Sequence, residues 1–313
     1  MPTPFTLDEV FHFTTSDGLP LSATAQCSTP TPLFLAVLVH GLNHTSEAFL
    51  PLLAHLSASA LCFVRVDLRG HGLNAAALPA GQPLDLSCSR LLLDLIELLA
   101  VAQLRYLPPA RQQAGPLLIG HSLGGALCAK LAQQLQAGGG GCSGLVVLDF
   151  VEGSALPCIP AALQAMQAMP RSFPDLEGAV AWLLGTGTLH SAPAARLLLP
   201  FALHSSSSGL QWRTQSSGVL SALSLELLEG WFKGASACFA ACRAPRLLLL
   251  ASLASLADKE LTVQHMQGKF QVKVVPEASH CLHCDQPARV AAEMAAFLAG
   301  ILGSAAAKAG GEQ

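Results

Sequence analysis

Short unbroken apolar runs alternate along this chain with longer stretches in which apolar residues recur every three or four positions. Residues 33–39, 61–66, 116–119, 145–148 and 246–251 are of the first kind, 61–66 and 246–251 each with a single arginine, and 270–275 is a more alternating version. A run apolar on both faces of its pleat predicts a strand covered by helices on both sides, as in a parallel sheet. The second kind occupies 46–60, 85–106, 123–136 and 287–302, and predicts helices. Strands alternating with helices predict an α/β fold built on a mostly parallel sheet, with ligands at the carboxyl ends of its strands. Between 150 and 244 the strand pattern stops. Helical segments at 159–168, 176–184, 194–203 and 222–232 take over, so a helical cap inserted at about 151–244 is expected within one domain spanning 1–313. Met166, Met169, Trp182, Trp212, Trp231 and Phe232 read as the apolar interior of that cap, with one or two lining a channel. The glycine-rich 137–141 reads as a surface loop, and 303–313, made of small and polar residues, as a flexible tail.

One motif carries chemistry. Gly120-His121-Ser122-Leu123-Gly124 follows the strand at 116–119 and opens the helix at 123–136. A serine in a sharp strand-to-helix turn has its hydroxyl thrust out toward a base, and small flanking residues let the turn pack closely. Gly125 extends the close-packed surface. Ser122 is therefore the candidate nucleophile.

A serine nucleophile needs a base, and the base needs an acid to orient it. Of eleven histidines, His280 lies in the loop Pro276-Glu277-Ala278-Ser279-His280 after the last strand, where the base of such an enzyme falls. His283 reads as a neighbour lining the mouth of the site. Two carboxylates compete for the third role. Asp149 ends the strand after the elbow helix; Asp258 follows the next strand but sits beside Lys259 and reads better as a helix cap. Asp149 is preferred. Glu152 is a third nearby carboxylate, either a structural acceptor or, with Gly153, a substrate contact. Backbone amides aimed at a developing oxyanion are expected from Leu123, just past the serine, and from Leu42 in the loop 40–44. Asp67-Leu68-Arg69-Gly70-His71-Gly72 reads as a turn tied down by its Asp and Arg.

Composition narrows the classes further. With 313 residues, 51% hydrophobic and 12% charged, the chain can bury a large core. A net charge of −3 offers no footprint for nucleic acid or anionic membrane. No apolar run is long enough for a membrane span, and the first residues show no targeting pattern, so a cytoplasmic protein is expected, with the nucleus as the alternative. The ten cysteines lie mostly in predicted core elements and are expected to be free thiols. Cys281-Leu282-His283-Cys284 beside His280 has the spacing of a metal half-site, but no second pair partners it, and no metal is expected there.

These residues together resemble the protein phosphatase methylesterases, a branch of the α/β-hydrolases. The resemblance rests on G-H-S-L-G-G, on L-D-x-V-E-G-S-A at 148–155, E-G-W-F-K-G at 229–234, P-R-L-L-L-L-A at 245–251, D-K-E-L-T-V-Q-H-M-Q-G-K-F-Q-V at 258–272 and the His280 loop, in that order. It implies an α/β-hydrolase fold. It also implies a serine esterase that removes the methyl ester from the carboxy-terminal leucine of the type 2A phosphatase catalytic subunit, without metal or cofactor. It places the acid at Asp149. The chain departs from the family pattern in carrying Leu42 and Asn43 where a more glycine-rich loop is usual, and in a short connection at 205–209 in place of a long acidic insertion. A small-molecule carboxylesterase and a phosphatase-binding protein with an idle site are the alternative readings.

Overall fold

The computed structural model describes residues 8–56, 60–76 and 84–310. Eight strands form one sheet in the order β1-β2-β4-β3-β5-β6-β9-β10. These are β1 (Glu9–Thr14), β2 (Pro20–Cys27), β3 (Phe34–Val39), β4 (Leu61–Val66), β5 (Leu117–His121), β6 (Gly144–Leu148), β9 (Arg246–Leu250) and β10 (Gln271–Val274); β7 (Leu203–Ser206) and β8 (Gly209–Trp212) pair as a separate antiparallel hairpin. From β4 to β10 every pairing is parallel, whereas β1 and β2 run antiparallel at one edge.

The continuous apolar runs follow from burial on both faces. Val37, Val39, Leu118, Val147 and Leu248 point to one side, toward the helices Cys88–Tyr106 and Leu123–Ala137. Ala36, Leu38, Ile119, Val146 and Leu249 point to the other, against Phe49, Leu52, Met294 and Phe297. Arg65 interrupts β4 yet is fully buried, because Glu47 and Asp8 neutralise its guanidinium. A third apolar cluster, with Phe173, Val180, Leu199 and Trp212, forms among the helices between β6 and β9. Trp231 belongs instead to the main core, where its indole N–H donates to the Leu86 carbonyl at 2.6 Å.

The structure departs from the sequence expectations in several places. The edge pair β1–β2 and the hairpin β7–β8 lack the unbroken apolar signature: β1 alternates buried with exposed positions, β2 mixes polar with apolar residues, and β7 and β8 are short. The expected helix at 46–60 is instead a 3-10 turn, Ser46–Phe49, followed by the single turn Leu50–Leu53; residues 57–59 lie outside the described residues. The helix expected from 159 begins at Glu152 and accommodates Pro157 and Pro160. The stretch 222–232 breaks at Ser224, whose hydroxyl accepts the Leu227 N–H and so caps the helix Leu225–Phe232. The last helix runs on from Pro287 to Gly310, past the expected end at 302; 311–313 lie outside the described residues. The free-thiol expectation also needs correction at one pair. The register of β2 on β4 sets Cys27 directly opposite Cys62, and the two form a disulfide across 35 residues of sequence. Among the described residues no helix is long and apolar enough to cross a membrane.

Candidate active site

Ser122 stands between the end of β5 and the helix Leu123–Ala137 with φ 52° and ψ −119°. Such a conformation is strained for any residue with a side chain and persists only where the surroundings impose it. They do so by contact. A Cβ on Gly120 would lie 2.2 Å from the Gly124 carbonyl oxygen, and one on Gly124 2.0 Å from that of Val39. Glycine at both positions lets helix, turn and β3 close up, and the Ser122 N–H donates to the Leu148 carbonyl at 3.0 Å, tying the turn to the end of β6.

Leu148 leads into Asp149, itself at φ 48°. The two Asp149 oxygens are divided: Oδ1 accepts the Ala251 N–H at 2.9 Å, and Oδ2 accepts Nδ1–H of His280 at 2.8 Å. His280 is 41% exposed, so its ring is open to solvent while its acid is largely shielded. The loop bearing it is pinned on both sides. The Ser279 hydroxyl donates to the Thr188 carbonyl at 2.7 Å, the Ser279 N–H donates to Asp285 at 2.9 Å, and His121 Nε2–H donates to the His280 carbonyl at 2.9 Å. The residue preceding the serine thus holds the residue that would serve as its base. Asp258 is occupied elsewhere, accepting the Glu260 and Leu261 N–H groups at 3.1 Å each as the cap of the helix Lys259–Met266.

The loop after β3 packs against the serine: a Cβ on Gly41 would meet the Ser122 Cβ at 3.1 Å. Its amides divide in a way sequence reasoning did not reach. The Asn43 N–H donates to His71 Nε2 at 3.2 Å and the His44 N–H to the Gly41 carbonyl at 3.2 Å, with Leu42 inside the turn that the second bond closes. Leu123 opens its helix, so its N–H has no carbonyl a turn earlier to bond. Two buried histidines hold this loop. His40 Nε2 accepts the Leu68 N–H at 2.9 Å, which fixes the proton on Nδ1, and Nδ1–H donates to the Gly41 carbonyl at 2.7 Å. That carbonyl shares its peptide plane with the Leu42 N–H, so His40 orients both. His71 accepts from Asn43 and donates Nδ1–H to the Arg69 carbonyl at 3.1 Å. Burial pushes both imidazoles down to about 3, so they stay neutral in this role. The only sequence signal for the pair was its place in H-G-L-N-H and R-G-H-G.

Asp67 and Arg69 build the adjoining turn. Asp67 accepts the Ser46 and Leu73 N–H groups at 2.7 and 2.8 Å, and Arg69 bonds Asp94 and Asp17. His283 does not line the mouth as expected. It is fully buried between Phe49 and His121, with ring centroids 5.2 and 4.5 Å away, because the short helix Leu282–Asp285 turns it inward. Glu152 and Gly153, for which a structural role and a substrate contact were both open, are held by neighbouring backbone. The Glu152 oxygens accept the Gly234 and Ser236 N–H groups at 2.9 and 3.0 Å, and a Cβ on Gly153 would sit 1.9 Å from the Ala257 carbonyl oxygen.

A mostly apolar cavity of about 230 Å³ opens between the loop at Leu42 and the helices after β6, with Met166, Met169, Trp182, Leu199 and Trp212 on its walls and Cys281, the residue after His280, on its floor. Asn43 braces that boundary, accepting the Thr214 hydroxyl and approaching Met169 Sδ at 3.6 Å. The cavity thus reaches the two loops that flank the serine, through Leu42, next to the Gly41 that packs on Ser122, and through Cys281, next to His280.

Such an elbow on such a sheet defines a class, and the chain matches the alpha/beta hydrolase family over residues 36–293. A solved structure, E-2-(acetamidomethylene)succinate hydrolase, superposes with a TM-score of 0.71 at 21% identity over 93% of this chain and 99% of its own, a likeness of fold. Within that class, protein phosphatase methylesterase 1 of Cryptococcus neoformans is 34% identical over 82% of this chain and 62% of its own length, and that of Schizosaccharomyces pombe 32% identical over 84% and 74%. The chain belongs to the protein phosphatase methylesterase 1 family, and it spans less than two thirds of the length of the Cryptococcus relative.

Proposed function

We propose that this chain is a serine carboxylesterase that removes the methyl ester from the carboxy-terminal leucine of the type 2A protein phosphatase catalytic subunit. The observation that carries the chemistry is the His280–Asp149 hydrogen bond at 2.8 Å, formed beside a serine in the elbow conformation. Membership of the methylesterase family supports the substrate. In this reading His280 Nε2 takes the Ser122 proton as the hydroxyl attacks the ester carbonyl, and the Leu42 and Leu123 amides stabilise the oxyanion. Methanol leaves with the proton from His280. Water then attacks the acyl-enzyme by the same route and frees the carboxylate. Asp149 keeps the imidazole in the tautomer that accepts on Nε2. No step calls for a cofactor.

The apolar cavity receives the leucyl end of the substrate, and the segment 151–244 acts as a cap that also meets the folded partner in the cytoplasm or nucleus. Binding energy from such remote contacts can orient the reacting carbonyl and raise the rate of the chemical step. Incubation with methylated catalytic subunit, its isolated methylated tail and an unrelated acyl ester separates the readings. Fastest turnover of the intact subunit is expected. Equal efficiency on all three would indicate a general carboxylesterase, and binding without turnover an idle site.

A further inference from the structure

Two thiols stand apart from this site, at the opposite end of the parallel strands. Cys142 precedes β6 and Cys242 precedes β9, neighbours paired in register from Leu145 and Arg246 onward. That register brings together residues 100 apart in sequence, with their sulfurs at 3.8 Å. Cys142 is half-buried and follows the exposed glycine turn, where Gly139 and Gly141 have positive φ; Cys242 is buried.

We propose that Cys142 and Cys242 are a site of reversible disulfide formation by hydroperoxides, closing the stretch that carries Asp149 and every helix between β6 and β9 into a covalent ring. A disulfide needs its sulfurs about 2.05 Å apart, so side-chain rotation at the two cysteines must close the rest of the 3.8 Å gap. The two sulfurs are not equivalent. Donation from the Cys142 thiol holds Cys242 well below the usual thiol range against the opposing effect of burial, helped by the Ala244 N–H and the Arg246 charge. The same bond pushes Cys142 up. The Arg246 guanidinium has other partners as well. Its terminal nitrogens donate to the Phe239, Ala240 and Lys269 carbonyls, while its buried Nε has no partner among the described residues. Burial pushes Cys128, Cys281 and Cys284 upward, away from the thiolate.

The reaction proceeds in two displacements. The Cys242 thiolate attacks the peroxide; an S–O bond forms, the O–O bond breaks, and the departing oxygen leaves as an alcohol or water after taking a proton from solvent. The Cys142 sulfur then attacks the sulfenic acid; the S–S bond forms, the S–O bond breaks, and the hydroxyl leaves as water with the Cys142 proton. The thiols lose two electrons and the peroxide gains them.

The test treats the full chain with hydrogen peroxide, blocks residual thiols and maps non-reduced peptides by mass spectrometry. A linked Cys142–Cys242 peptide that dithiothreitol releases is expected, together with a melting temperature several degrees higher, as closing a long loop implies. Cys142→Ser should stop at a sulfenic acid on Cys242 that dimedone traps; Cys242→Ser should leave Cys142 unlabelled. Oxidation of the exposed Cys158 with no linked peptide in the unmutated chain overturns the site, whether or not the variants fold. Dimedone labelling of Cys142 in Cys242→Ser overturns the choice of attacking sulfur, and an unchanged melting temperature overturns the ring closure.

Discussion

Asp149→Asn tests the site most sharply, because the structure sets which way the amide must face. Asn tolerates the left-handed backbone that Asp149 adopts at φ 48°, so the fold should survive. The Ala251 N–H requires an oxygen at the Oδ1 position. With the amide oxygen there, its NH2 faces His280 Nδ1, and the imidazole must shift its proton to Nε2, where it can no longer act as base. The flipped amide keeps the working tautomer but opposes its NH2 to the Ala251 N–H, at a cost of about 1–3 kcal/mol for the stranded donors. Either way the imidazolium formed during the reaction loses a charged acceptor, worth about 2–3 kcal/mol more. Together these raise the barrier by about 3–6 kcal/mol, or roughly two to four orders of magnitude in turnover, with the upper end matching what loss of the orienting carboxylate costs in such triads. Steady-state hydrolysis of a fluorogenic acyl ester, with circular dichroism to verify the fold, measures it. Asp258→Asn is the control and should lose at most about 1 kcal/mol of stability with turnover intact. A folded Asp149→Asn protein within tenfold of the original rate would refute the assignment.

Ser122→Ala should abolish both ester hydrolysis and fluorophosphonate labelling while leaving the melting curve close to unchanged; appreciable residual turnover would rule out the serine mechanism. Gly124→Ala places a methyl on the Val39 carbonyl, 2.0 Å away, and should destabilise the fold by about 1–3 kcal/mol or more, read as a lower melting temperature; an unshifted curve would show that helix and strand are not closely packed there. His283 is held near 3 by burial, and neither ring nitrogen has a partner among the described residues. Its pKa is depressed in the fold, so the unfolded chain gains a proton below about 6.5 that the fold refuses, and stability is lost as pH falls from there toward 3. His283→Leu removes that penalty. Its stability relative to the unmutated chain, by urea titration, should improve by about 2 kcal/mol between pH 7 and pH 5, whatever the opposite contribution of the buried Asp67 and Asp94, which is common to both proteins. A pH-independent difference would mean that the imidazole is solvated.

Local pattern determined the centre of the parallel sheet, because a strand covered on both sides must be apolar at nearly every position, a demand that β3 and β6 meet throughout and β4 meets except at the ion-paired Arg65. It also determined the elbow. The glycines around Ser122 answer to contacts within a few residues of chain and to one neighbouring strand, so their spacing is written locally. What lay out of reach was whatever depends on residues brought together from far apart. The edge strands β1 and β2 are held by one another and by β4, not by a signature of their own. Cys27 meets Cys62 only through strand register, and a spacing of 35 residues says nothing of it. The inward turn of His283 depends on one helical turn. Between Asp149 and Asp258 the sequence offered two acids after two strands; what separates them is that the β6–β9 pairing turns Asp149 toward the His280 loop, while the helix after Asp258 claims that side chain as its cap. Hydrophobic periodicity is a property of neighbours in the chain, whereas the direction of a polar side chain is decided by its partners in space.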